Sequence, residues 1–77
     1  MDRGYLKQAT ESARKNFAQN LRYYMNEKKI KQQMLAQEIN VNQTTISSWL
    51  NLDSEPSVSK VLILAEFFSC SIEDLLK

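Results

Sequence analysis

The sequence predicts an all-α fold of five helices, the first of them extended, and three observations lead there. Leu6, Ala9, Ala13, Phe17, Leu21 and Tyr24 fall within one helical arc of about 120°, and the phase does not slip from the first to the last. The stretch Gln32 to Asn51, QQMLAQEINVNQTTISSWLN, has apolar residues at Leu35, Ile39, Val41, Ile46 and Trp49, the pattern of two short helices joined by a tight turn. Between Gly4 and Pro56 there is neither glycine nor proline, so helix ends must come from caps and periodicity.

The first arc reads as one helix from about Tyr5 to Lys28, with a break near Asn16 or Asn20 as the competing reading. Residues 1–16 form an amino-terminal extension, helical and continuous with helix one, and residues 17–77 form the domain proper. Helix two is expected from Gln32 to Ile39, where Leu35 and Ile39 lie one turn apart and the small Ala36 permits close approach of its neighbour. Asn42 suits an N-cap, and helix three covers Gln43 to about Leu50, with Ile46 and Trp49 facing inward and Val41 plugging the turn. Ser57, after Pro56, starts helix four, which ends near Phe68. Ser71 with Asp74 three residues on approximates a capping box for a short fifth helix, Ile72 to Leu76. A pair such as helices two and three holds the second helix out from the body, one face free to enter a DNA major groove.

Together these residues resemble the helix-turn-helix of the lambda-repressor-like family, which includes phage repressors and Cro proteins. The resemblance extends from Phe17, Leu21 and Ile30, through Pro56-Ser57 and the apolar run Val58 to Phe68, to Ser71-Ile72-Glu73-Asp74-Leu75-Leu76. It implies a compact five-helix lambda-repressor-like domain, here with a first helix longer than usual by roughly three turns. The family usually has Gly in the turn between helices two and three. This chain has Asn40, the next best residue for a left-handed backbone. Where the family often reads Glu-Asn-Gly after helix three, this chain reads Leu50-Asn51-Leu52. The resemblance also implies that the Gln opening helix two touches a phosphate and braces the polar residue that opens helix three. Gln32 and Gln43 stand at those positions.

Composition excludes several other classes. The single Cys70 rules out an internal disulfide and a cysteine metal site, and the absence of His removes histidine bases and histidine-ligated zinc. With Gly4 as the only glycine there is no glycine-rich phosphate loop, and the longest apolar run, Val61 to Ala65, is too short to span a bilayer. The expectation is a soluble, cytoplasmic, non-enzymatic chain with no cofactor, metal or evident small-molecule ligand. Cys70 reads as a small, at least half-buried residue without a redox task. Ending directly after helix five suits both a complete Cro-like protein and the first domain of a longer repressor.

The net charge of +1 conceals an asymmetry. Residues 1–31 carry eight basic against three acidic side chains, net +5, whereas residues 32–77 carry two against six, net −4. Arg3, Lys7 and Arg14 read as solvating surface charges. Lys28, Lys29 and Lys31 lead directly into the helix-turn-helix, where a phosphate strand would pass, and with Gln32 and Asn51 are the candidate phosphate contacts. The candidate base contacts are Asn42, Gln43, Thr44, Ser47 and Ser48, the polar residues of helix three and its first turn. Asn and Gln can pair bidentately with adenine, and a Thr methyl can meet a thymine methyl. Helix three contains no Arg or Lys, so affinity has to come from phosphate contacts elsewhere while this face discriminates sequence. Trp49 falls in the core phase and reads as packing, not as a stacking platform.

On helix four, Val58, Val61, Leu62, Leu64, Ala65 and Phe68 form a core arc, leaving Ile63 and Phe67 on the opposite side. These two, with Leu75 and Leu76, are the candidate partner surface. The functional expectation is a sequence-specific DNA-binding regulator, a repressor, that binds a pseudo-palindromic operator in double-stranded DNA as a homodimer weak in isolation. The alternative is a protein-interaction module with the same fold, such as an antitoxin or antirepressor.

Overall fold

In the computed structural model, which describes residues 4–77 and every side chain among them except that of Lys7, five helices follow one another without a strand. They are α1 (Gly4–Lys28), α2 (Gln32–Glu38), α3 (Gln43–Leu50), α4 (Val58–Phe68) and α5 (Ile72–Leu76). Arg3 and the Lys7 side chain, expected as solvating charges, lie outside what is described.

One core gathers all five helices. Phe17, Leu21 and Met25 enter from α1, Leu35, Ala36 and Ile39 from α2 and its end, and Ile46, Trp49 and Leu50 from α3. Val61, Leu64, Ala65 and Phe68 enter from α4, and Leu75 from α5. The Phe17 ring meets Trp49 edge-on at 6.0 Å, and Tyr24 stacks on Phe68 at 5.6 Å, so aromatic contacts tie α1 to both α3 and α4. Trp49 is thus a core residue. Burying these side chains is the main stabilising term, about 1.5–3 kcal/mol for each large one.

Polar contacts set how α1 lies on the rest. The Asn20 amide donates to the carbonyls of Leu75 (3.0 Å) and Lys77 (3.3 Å), and Asn16 donates to that of Leu76 (3.3 Å). Carbonyls that α5 leaves unpaired at its end are thereby satisfied. Arg22 donates to the Leu50 carbonyl at the end of α3 (3.4 Å), and Arg14 pairs with Glu55 at 2.9 Å. The start of α5 is a full capping box: Asp74 N–H donates to Ser71 Oγ (3.0 Å) and Ser71 N–H to the Asp74 carboxylate (3.1 Å). Ser57 caps α4 by accepting from Lys60 N–H.

The first four helices end in the same way, without glycine. Lys29, Asn40, Leu52 and Ser69 each follow a helix with φ between 54 and 66°. In each case the next residue's N–H reaches five residues back: Ile30 to Met25, Val41 to Ala36, Asp53 to Ser48 and Cys70 to Ala65. These are Schellman closures, which normally place Gly at the left-handed residue. Asn40 was legible because Asn tolerates that conformation. Lys29, Leu52 and Ser69 carried no such signal.

Two expectations about the carboxy-terminal helices need correction. Val58 and Leu62 are exposed (77% and 50%), so the core arc of α4 is the narrower set Val61, Leu64, Ala65 and Phe68, spaced i, i+3, i+4, i+7. Leu75, expected on a partner surface, is wholly buried, because α5 lies against α1 and turns that residue into the core. Phe67 is only half-exposed, packed against the core and meeting Phe68 edge-on at 5.0 Å. Ile63 and Leu76 do remain exposed.

Candidate nucleic-acid interface

α3 stands between α2 on one side and the carboxy-terminal half of α1 on the other, its inner face sealed by Ile46, Trp49 and Leu50. Its opposite face is polar. Asn42, Gln43 and Thr44 are exposed at the start of the helix. Asn42 occupies the N-cap position with extended backbone (φ −77°, ψ 150°), yet its side chain makes no capping bond. It gives up the usual stabilisation of a cap, about 1 kcal/mol, and leaves its amide turned to solvent beside Gln43 and Thr44.

Ser47 and Ser48, expected on the same face, are half-buried and already engaged. Ser47 Oγ donates to the Gln32 side-chain oxygen at 2.5 Å. Ser48 Oγ meets Ser54 Oγ at 2.7 Å and, with its carbonyl accepting from Asp53 and Ser54 N–H, staples the loop after α3. The expected brace between Gln32 and α3 therefore exists, but on Ser47, one turn beyond Gln43. Gln43 and Ser47, four residues apart, share one face of α3, and it is the one a turn further along the axis that reaches the Gln32 side chain, leaving Gln43 at the free end of the helix. Since the Gln32 oxygen is taken, its amide nitrogen is the end left to donate outward.

Beside the start of α3 is an open concavity of about 480 Å³, walled by Arg22 and Asn26 of α1, by Lys31, Gln32 and Gln33 where α2 begins, and by Gln43. Two cations and several amide donors thus converge next to the exposed end of α3. Lys29 lines a neighbouring hollow shared with Lys31. Lys28 does not join them. Its ammonium sits 4.7 Å above the Phe67 ring, so a cation–π contact draws it toward α4 and away from α3. Asn51 is exposed at the far end of α3 and is not brought to this concavity.

Arg22, Asn26 and Gln33 were not singled out from sequence. A signal existed for the first two: they are i and i+4 on α1, immediately beside the core residues Leu21 and Met25. Among the described residues no group of acidic, His and Cys side chains could hold a metal ion, and no helix is long and apolar enough to cross a membrane.

A short helix braced against its predecessor, presenting a polar end beside a basic wall, defines a helix-turn-helix DNA-binding domain. The chain belongs to the helix-turn-helix family, of lambda-repressor-like type, whose family model matches residues 21–75. The family is one of non-enzymatic DNA-binding domains. The structure is also similar to the crystal structure of a transcriptional regulator from Listeria innocua, with a TM-score of 0.73 and 30% sequence identity. That similarity covers 78% of this chain and 56% of the other, so the present chain spans a little over half the length of the Listeria protein. No curated protein matches the sequence.

Proposed function

We propose that the chain is a sequence-specific DNA-binding transcriptional regulator, acting as a repressor that places α3 in the major groove of a pseudo-palindromic operator as a dimer. The observation that carries this reading is the uncapped, exposed trio Asn42, Gln43 and Thr44 beside the wall of Arg22, Lys31 and Gln32. The trio supplies donors and acceptors that can distinguish bases, and the wall supplies charge for phosphates at the groove edge. Lys29 belongs to the phosphate set and Arg22 joins it, whereas Lys28, held over Phe67, contributes only long-range attraction. Asn51 is a separate phosphate contact at the other end of α3. Energetics supports dimerisation: one short recognition helix with no cation of its own cannot select a single genomic site, whereas two copies would set their recognition helices about 34 Å apart, in half-sites one turn of DNA from each other.

Mobility shifts on genomic fragments, with the salt concentration varied, test the reading. Gln43→Ala is expected to weaken specific binding by roughly 1–3 kcal/mol while sparing non-specific affinity. Replacing Lys29 and Lys31 with Gln should weaken all sequences alike and flatten the log–log salt slope by about 0.9 for each phosphate no longer neutralised. The absence of Arg and Lys from α3 favours one other reading, a protein-interaction module such as an antitoxin or antirepressor. No binding to any fragment at low salt would overturn the DNA reading and favour the interaction module.

A further inference from the structure

Among the described residues a single side-chain hydrogen bond joins α2 to α3, from Ser47 Oγ to the Gln32 side-chain oxygen. Both residues are half-buried, so the bond is partly shielded from competing water. A serine inside a helix often gives its proton to a carbonyl one turn back, and Ser47 gives it across to α2 instead. Gln43 is the contrast. It is exposed at the start of α3, and its side chain makes no hydrogen bond among the described residues.

The two amides border the same concavity, whose wall also holds the cations Arg22 and Lys31. What Gln32 offers to that space depends on which of its ends Ser47 holds. A carboxamide accepts at its oxygen and donates through its nitrogen, whereas Arg and Lys can only donate. An oxygen turned into the concavity would attract those two cations and blunt their pull on a phosphate. With the oxygen held by Ser47, the NH2 group is left to the concavity and adds a third donor to theirs.

We propose that Ser47 is a positioning residue, which meets no base and instead holds the Gln32 amide with its nitrogen turned to a backbone phosphate. The two glutamines then have separate tasks. Gln32, fixed before DNA arrives, has already lost the rotamer freedom that a free side chain would lose on binding. Gln43, held by nothing, keeps both ends of its amide for a base edge. Ser47 thus lies on the recognition helix yet contributes equally to every sequence, because it acts through a phosphate contact. Gln32 is neutral, so that contact adds affinity without steepening the salt dependence, unlike one made by Lys31. The inference rests on the DNA-binding reading for the phosphate, while the brace itself is a property of the free protein.

A double-mutant cycle in the full chain tests it, on the genomic fragment the wild type shifts best and on a random duplex of equal length. Ser47→Ala is expected to weaken both by about three- to tenfold with an unchanged salt slope, and to cost nothing further in a Gln32→Ala background. Ser47→Thr, which keeps the hydroxyl, should stay within about twofold of the wild type. Ala is a better helix former than Ser, so α3 survives the first change, and circular dichroism checks it. Single methylphosphonate substitutions along the fragment separate positioning from mere packing: one phosphate whose neutralisation weakens the wild type should matter less to Ser47→Ala and Gln32→Ala alike. A loss confined to the preferred fragment, or one that persists in the Gln32→Ala background, would make Ser47 a base contact and overturn the proposal, as would a methylphosphonate profile that neither variant alters. The brace is read without DNA, by NMR relaxation of the side-chain amides. Gln32 should be rigid beside a mobile Gln43, and Ser47→Ala should make the two alike. A mobile Gln32 in a chain that binds DNA overturns the brace and spares the DNA reading. A rigid Gln32 in a chain that binds no fragment at low salt removes the DNA reading, and the phosphate role with it.

Discussion

The two halves of α1 have the same periodicity and opposite fates. From Ala13 to Met25 the apolar arc is progressively buried, ending in Phe17, Leu21 and Met25 at 3%, 0% and 7% exposure. From Gly4 to Ser12 the same arc, with Leu6 and Ala9 in phase, meets no part of its own core. The comparison teaches that periodicity identifies the face a helix will bury but not whether anything lies opposite that face. The carboxy-terminal half is also tied by polar contacts, Asn16 and Asn20 to the end of α5 and Arg22 to the end of α3. In the arm, by contrast, Thr10 Oγ1 turns back to the Leu6 carbonyl of the same helix.

The contrast is broken most directly by truncating the same residue type in each half. Leu21→Ala should cost about 2–5 kcal/mol, by reduced burial and the cavity left behind, and bring a domain this small close to unfolding. Leu6→Ala in the monomer should stay within roughly 0.5 kcal/mol. Urea melts at low protein concentration measure both, and comparable losses would mean the arm packs in the folded monomer. Next in size is Asn20→Ala, which leaves the Leu75 and Lys77 carbonyls without their donor and should cost about 1–2 kcal/mol. No loss would show that apolar packing alone holds α5 on α1.

A smaller effect, of opposite sign, is expected where α3 ends. Leu52 is a bulky residue at φ 66°, a conformation that costs about 1–2 kcal/mol for a side chain with a Cβ. Leu52→Gly should therefore stabilise the domain by about 0.5–1 kcal/mol once the extra flexibility of the unfolded chain is subtracted. A destabilised variant would show that Leu52's contacts near Glu11, Arg14 and Lys15 outweigh the strain, and would link the end of the arm to the fold.

The smallest effect is on pH dependence and belongs to the packed half alone. Burial pushes the Cys70 thiol above its ordinary value of 9.0, partly opposed by a hydrogen bond with Tyr24. Burial likewise raises the Tyr24 hydroxyl above 10.0, with the charge of Cys70 adding to the shift. Both groups hold their protons more tightly in the fold than in the unfolded chain. Their contribution is full below the unfolded values and is lost as pH climbs through the folded ones. Stability should thus decline in mildly to strongly alkaline solution, by the same amount in a chain lacking residues 1–12. A decline that vanished on removing the arm would place its cause there.

Much of the candidate interface was legible because helix-turn-helix geometry converts residue order into position. Once Leu35, Ala36, Ile46 and Trp49 set the phase of α2 and α3, Asn42, Gln43 and Thr44 had to lie at the exposed start of α3. What the pattern did not convey was competition for the same polar groups. Ser47 and Ser48 share that helix but are drawn into bonds with Gln32 and Ser54, and Lys28 shares the basic lead-in but is drawn to Phe67. Arg22 reaches the concavity from α1, a convergence of segments far apart in sequence.

Local physics, written along the chain, determined the helices and most of their ends: the 3.6-residue apolar period, the Ser57 cap and the Ser71–Asp74 box each depend on neighbours within a turn or two. It determined the exclusions as well, since no fold can supply a histidine or a second cysteine that the sequence lacks. The tertiary structure alone decided which apolar faces found a partner. Val58 and Leu62 lie outside the core arc while Leu75 lies inside it, and the arm was left uncovered, because burial depends on what other segments place opposite a side chain. It also decided that α1 to α4 close through left-handed Lys29, Asn40, Leu52 and Ser69, where the following residue's backbone bond and packing into the fold outweigh the missing glycine.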